Sequence, residues 1–126
     1  MHYDGQWDSG NCETEGITYE NTCDGEGCVR RYKGESSYCA YKRGKEHVAK
    51  LIGKSDKSPH WKHCERDLAG VMQTFTMRVT GSFKNDAMLR QITEAVQIEN
   101  TPTEELMNTR TEWNMTRVPR MNILST

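Results

Sequence analysis

Two tyrosines, an arginine, a histidine and a glutamate are the residues of this chain whose types and order could do chemistry. Tyr19 closes Gly16-Ile17-Thr18-Tyr19 and Tyr32 opens Tyr32-Lys33-Gly34-Glu35-Ser36, with a short cysteine-bearing turn between them. Residues compatible with strands surround both, so their hydroxyls are expected on neighbouring strands, converging on one patch. Arg43 and His47 are four residues apart, on one side of an expected helix and within reach of a common ligand. Glu94, in Gln91-Ile92-Thr93-Glu94-Ala95, falls at the edge of a later helix's apolar stripe, where a carboxylate is partly desolvated yet open to a hydrated cation. Hydrolysis of a phosphodiester asks for a base near a water, a positive group to absorb developing charge, and a carboxylate to hold a metal.

Each of these residues also has a plain structural reading. Tyrosines on strands pack half-buried in any sheet, an Arg–His pair at helical spacing can be a solvated face, and Glu94 can pair with Arg90 one turn earlier. Lys42 and Lys45, beside Arg43, either add phosphate affinity or simply face water.

The cysteines offer a second chemistry. Five is an odd number. With polar first residues rather than a secretory signal, they are expected to be thiols or metal ligands and not a disulfide framework. Cys23 and Cys28 bracket Asp24-Gly25-Glu26-Gly27, whose glycines would let both sulfurs point inward as a structural Zn2+ knuckle. Cys12, Cys39, Cys64, His60 or His63 would complete its tetrahedron. The alternative is a pair of reduced cysteines near a turn.

The elements that must position these groups can be read along the chain. Ile17 to Thr22 and Val29 to Lys33 are expected strands, antiparallel because their connection is too short for a parallel crossover. A helix follows over Tyr38 to Ile52, capped by Ser36 or Ser37, with Tyr41, Val48 and Ile52 as its apolar positions. Ser58-Pro59 starts a second, with Trp61, Cys64 and Leu68 on one face. Phe75, Met77 and Val79 alternate with polar residues as a third strand. Asn85 or Asp86 caps a helix whose stripe is Met88, Ile92, Ala95 and Val96, flanked by Leu89 and Ile98. Thr101-Pro102-Thr103 opens at most a short turn.

This is an α+β order within one domain's length of 126 residues. Hydrophobic residues make up 34% and the formal net charge is -1, so bulk electrostatics alone does not demand a nucleic-acid partner. No apolar run approaches the roughly 18 residues of a membrane span, and a soluble, intracellular protein with no membrane partner is expected.

The order of Gly16-Ile17-Thr18-Tyr19, Tyr32-Lys33-Gly34-Glu35-Ser36, Arg43, His47 and Glu94 resembles the GIY-YIG nuclease family. Its nearest form is the nuclease module of Penelope-like and related retroelements, whose second strand runs Y-x-G-E-T and leads to a helix ending R-x-x-E-H. Here that helix carries Arg43-Gly44-Lys45-Glu46-His47. Thr18 stands where the family often has valine or no residue, Ser36 replaces a threonine, and Tyr38 occupies a position where many such modules carry arginine. The resemblance implies a small three-stranded antiparallel sheet flanked by helices over residues 16–108, with 1–15 as an N-terminal extension and 109–126 as a C-terminal tail.

The same resemblance implies a DNA endonuclease dependent on Mg2+ or Mn2+, a module of a mobile element tethered to a larger polyprotein and acting in the nucleus. Tyr19 would be the general base, Tyr32 would orient the phosphate, Arg43 would stabilise its charge, and His47 would assist positioning or proton transfer. Glu94 would hold the metal, and Asn108 matches a late asparagine near the site in some members. The rival readings are a catalytically decayed copy that binds nucleic acid, and a zinc-stabilised interaction module in which the tyrosines only pack. Whether Tyr19, Tyr32, Arg43 and Glu94 face one cleft separates them.

Overall fold

The computed structural model describes residues 2–3 and 15–108. Its strands are β1 (His2–Tyr3), β2 (Ile17–Cys23), β3 (Arg31–Ser36) and β4 (Phe75–Ser82), and its helices are α1 (Ala40–Ile52), α2 (Pro59–Asp67) and α3 (Ala87–Glu99). They form one sheet in the order β1-β4-β2-β3. The central β2 pairs antiparallel with both β3 and β4, giving the expected three-stranded antiparallel sheet with helices beside it. One strand was not expected: His2–Tyr3, within the assigned extension, pairs parallel with β4 at Thr76 and Met77.

As the central strand, β2 is buried on both faces, and its alternation sorts them. Ile17, Tyr19 and Cys23 enter two apolar clusters, one with Ala40 and Met77, the other with Leu51, Trp61, Cys64, Phe75 and Met107. On the opposite face Glu20 is 4% exposed and is ringed by Lys33, Arg31 at 3.6 Å and Arg78 at 3.4 Å. Burial would raise the Glu20 carboxyl, but those cations outweigh it and hold it below the usual carboxylate range.

Local sequence signals start two helices as expected. The Ser58 hydroxyl accepts from Trp61 N at 3.0 Å ahead of Pro59, and the Asp86 carboxylate accepts from Leu89 N at 3.0 Å. The start of α1 differs from expectation. Cys39 occupies its N-cap without a side-chain bond, while Ser36 Oγ closes the preceding turn by accepting from Tyr38 N at 2.9 Å. β3 also runs later than expected, ending in Gly34-Glu35-Ser36.

Two helices turn a different face inward from the one their apolar residues mark. In α1 the buried positions are Ala40, Gly44, His47 and Leu51, while Ile52 is 66% exposed. In α3 they are Arg90, Glu94, Ala95 and Ile98, leaving Met88, Leu89 and Val96 at the surface. Polar contacts to the sheet go with these inward faces: an ion pair from Arg90 Nε to Glu35 on β3 at 2.5 Å in α3, and in α1 a hydrogen bond between His47 and Tyr19 on β2. After α3 and a 3-10 turn at Thr103–Glu105, the chain adds to the open edge of β3, where Met107 N donates to Arg31 O at 2.8 Å. No helix among the described residues is long and apolar enough to cross a membrane.

Candidate active site

The β2–β3 register sets Tyr19 opposite Gly34 and Tyr32 opposite Asn21, so all four residues share one sheet face. The two tyrosine rings lie 6.2 Å apart. Gly34 is what lets Tyr19 lie across the neighbouring strand. A Cβ there would fall 2.3 Å from Tyr19 Cζ and 2.4 Å from its hydroxyl oxygen.

Above that face α1 delivers its two polar residues. Arg43 Nε donates to Tyr19 Oη at 3.0 Å, and Tyr19 Oη lies 2.6 Å from His47 Nε2. Burial, with the His60, Arg43 and Lys50 charges adding, pushes His47 down to about 2, so its imidazole is neutral and carries one proton. If that proton sat on Nε2, Tyr19 Oη would accept twice and leave its own O–H stranded at a wholly buried position. Hydrogen-bond accounting therefore assigns the chain Arg43 N–H to Tyr19 O, then Tyr19 O–H to His47 Nε2. Burial and the nearby Tyr32 raise Tyr19 well above an ordinary phenol, and Arg43 opposes them.

Beside this chain opens a cavity of about 440 Å³ whose wall includes Tyr32, Arg43, His47, Glu94 and Asn108. Five of the six residues expected to act on a phosphodiester, Asn108 included, thus reach one space. Tyr19 does not line it. It is 0% exposed and stands behind Arg43 and His47. Glu94 is 4% exposed, more deeply set than the edge of an apolar stripe implies, because the inward face of α3 carries Arg90 and Glu94 together with Ala95 and Ile98. Asn108 lines the cavity with its amide engaged: Oδ1 accepts from Lys33 N at 2.9 Å and Nδ2 donates to Lys33 O at 2.7 Å, extending the sheet edge.

His60 is a site neighbour that the sequence raised only as a zinc ligand. Its ring lies tilted against those of His47 and Tyr32, with centroids 4.6 Å and 5.3 Å away, and its Nε2 meets Asn21 Nδ2 at 2.9 Å. Burial, then the Arg43 and His63 charges, push it down to about 3. Nothing in the sequence joins residue 21 to residue 60; only the packing of α2 on the sheet does.

The second cluster lies further along the same hairpin. The donor atoms of Cys23, Cys28 and His63 all fall within 4.8 Å of one another. Cys28 Sγ is 3.3 Å from His63 Nε2, Gly25 N donates to Cys23 Sγ at 3.4 Å, and His63 Nδ1 pairs with Asp67 at 2.8 Å. A carboxylate orienting the far nitrogen of an imidazole is the usual support of a metal-binding histidine. Burial pushes the Cys23 thiol up to about 11, and Cys28 and Cys64 add to it. Cys64 adjoins the group without joining it. Cys39 is not the thiol expected: it is disulfide-bonded and cannot serve as a ligand. Cys12 lies outside the described residues.

Comparison with known proteins found no matching family, curated protein or solved structure.

Proposed function

We propose that the cavity is the active site of a divalent-metal-dependent endonuclease that hydrolyses a DNA phosphodiester, as the resemblance to GIY-YIG nucleases in mobile elements implies. The observation that carries this reading is the hydrogen-bonded chain Arg43–Tyr19–His47 at a cavity that Tyr32 and Glu94 also line. A structural packing role would not call for a cation and a neutral imidazole, joined through one buried phenol, at the wall of an opening.

Arg43 is a permanent cation, fixed on one side by Tyr19 and on the other by Glu46 at 2.8 Å, and it supplies charge to a phosphate oxygen without reorganising. The Tyr32 hydroxyl is the group beside the cavity able to accept from a water, while neutral His47, whose Nε2 is taken by the Tyr19 O–H, keeps only the Nδ1–H with which to orient one. Tyr19 sets the direction of both Arg43 and His47 from behind. Glu94 suits a magnesium or manganese ion. It is a hard anionic oxygen donor on the wall of a space that holds a phosphate and several waters at about 30 Å³ each. Such an ion, when bound, would neutralise charge on the phosphate.

Cys23, Cys28 and His63 fit a zinc ion that ties the hairpin to α2, with Asp67 holding His63 in place. Two thiolates and an imidazole are three of the four donors that a structural zinc takes, and the Gly25 amide supports the Cys23 sulfur as an anion.

Magnesium-dependent nicking of supercoiled plasmid by the purified chain tests the reading. Wild type should cut, and Glu94→Gln, which keeps shape but removes charge, should lose at least 100-fold, on the order of one catalytic interaction. Absence of cutting by the wild type, or wild-type cutting by Glu94→Gln, overturns it.

A further inference from the structure

The charge of this chain is close to balanced, at -1, but it is unevenly placed. Arg30, Arg43, Lys50, Lys57, Lys62 and Arg66 all line the one cavity, against Asp67 and Glu94. Asp67 is occupied by His63 at 2.8 Å and Arg30 at 3.7 Å, and Arg30 also donates to Glu104 O at 2.7 Å. Lys50, Lys57, Lys62 and Arg66 are exposed, and none lies within ion-pair distance of a carboxylate among the described residues.

Their helical placement gives them a direction. Arg43, His47 and Lys50 follow i, i+4, i+7 on one face of α1, so Lys50 lies about 10 Å along the axis from Arg43. Lys62 and Arg66 are one turn apart on α2, about 6 Å. Lys57 sits between the helices, just before the Ser58 cap. Exposed cations with no ion pair among the described residues, strung along two helices and their connection, suit successive phosphates of a long polyanion. A small phosphate compound would instead call for converging, buried donors. The pair expected to serve this purpose, Lys42 and Lys45, does not line the cavity, and Lys45 Nζ lies over the Tyr41 ring at 5.2 Å.

We propose that Lys50, Lys57, Lys62 and Arg66 form a track for the sugar–phosphate backbone of duplex DNA on one side of the phosphate held at Arg43 and His47. The proposal rests on the reading that the cavity accepts a phosphodiester. The contacts are to phosphates, so the track positions the duplex and reads no sequence.

Fluorescence anisotropy with a labelled duplex in buffer without magnesium or manganese and without chelator, where the proposed cleavage does not run and the zinc cluster is left intact, measures the track separately from the chemistry. Lys50→Gln/Lys57→Gln/Lys62→Gln/Arg66→Gln should bind at least 10-fold more weakly than wild type. Its slope of log affinity against log salt should be shallower by about 3.6, at roughly 0.9 for each of the four lost contacts. Lys42→Gln/Lys45→Gln should bind within about two-fold of wild type, since neither lines the cavity. Circular dichroism melts confirm that each variant folds, and single substitutions replace the quadruple one if it does not. Unchanged affinity and slope in the cation variants, an equal loss in the Lys42/Lys45 variant, or no binding by wild type overturns the track. So does full displacement of the duplex by millimolar inorganic phosphate, which would mark a small-anion pocket. DNA binding that depends on the four cations without magnesium-dependent cutting sinks the nuclease and leaves the track. Cutting with unchanged binding in the quadruple variant does the reverse.

Discussion

Two polar clusters grow from the same β2–β3 hairpin, and they are completed in different ways. Tyr19, Arg43 and His47 satisfy one another: contacts of 3.0 and 2.6 Å join a donor to an acceptor at each step, and the cluster needs nothing added to be stable. Cys23, Cys28 and His63 are held by longer sulfur contacts of 3.4 and 3.3 Å around donor atoms that face one another. Like donors brought together gain little until a cation sits among them. The first cluster is therefore preorganised by the fold, whereas the second would itself organise the fold on binding an ion.

Removing an ion is the strongest way to test that contrast. If Cys23, Cys28 and His63 hold zinc, the isolated protein should contain one equivalent, and chelation or Cys28→Ser should cost several kcal/mol of unfolding free energy, a modest share of the about 10–16 kcal/mol of structural zinc in isolated fingers. A metal-free protein with an unchanged melt would reduce the cluster to packed thiols.

The hydrogen-bonded cluster breaks sterically instead. Gly34→Ala places a methyl 2.3 Å from a Tyr19 ring that burial and two hydrogen bonds hold fixed. It should cost about 1–3 kcal/mol as overpacking and should displace Arg43 and His47 together. Urea unfolding measures the first effect and nicking the second; loss of stability with normal cutting would detach Tyr19 from the chemistry.

Acid distinguishes the clusters next. Burial holds His47 at about 2 and His60 at about 3, against an ordinary 6.5. Above that ordinary value both are neutral whether the chain is folded or not, so they add no pH dependence. Below it the unfolded chain takes up protons that the folded one refuses, and stability falls as pH falls. At pH 5 each histidine should cost about 2 kcal/mol relative to pH 7. Urea midpoints at the two pH values should converge in a His47→Gln/His60→Gln double variant. An equally steep loss in that variant would place the titration elsewhere.

The smallest effect concerns Asn108. Its amide makes two bonds to the Lys33 backbone, so Asn108→Ala should cost about 1 kcal/mol and speed hydrogen exchange at the Lys33 amide while leaving cutting near wild type. A fall in cutting without faster exchange would return Asn108 to the catalytic set.

What the sequence by itself determined is local. Alternation in Ile17–Cys23 and Phe75–Ser82, the short turn between β2 and β3, and the caps at Ser58 and Asp86 follow from preferences that act over a few residues. They suffice for an antiparallel α+β sheet with Tyr19 and Tyr32 on adjacent strands. The four-residue step from Arg43 to His47 was legible for the same reason. Tertiary structure decided which helix faces turn inward: an ion pair from Arg90 and a hydrogen bond between Tyr19 and His47 are buried beside Ala95 and Ile98 of α3 and Ala40 and Leu51 of α1, while other apolar positions stay outside. It decided that Tyr19 stands behind the cavity, that His63 joins two cysteines more than thirty residues away, and that cations on α1 and α2 collect at one opening. Each of these depends on contacts between segments far apart in the chain, which periodicity does not encode.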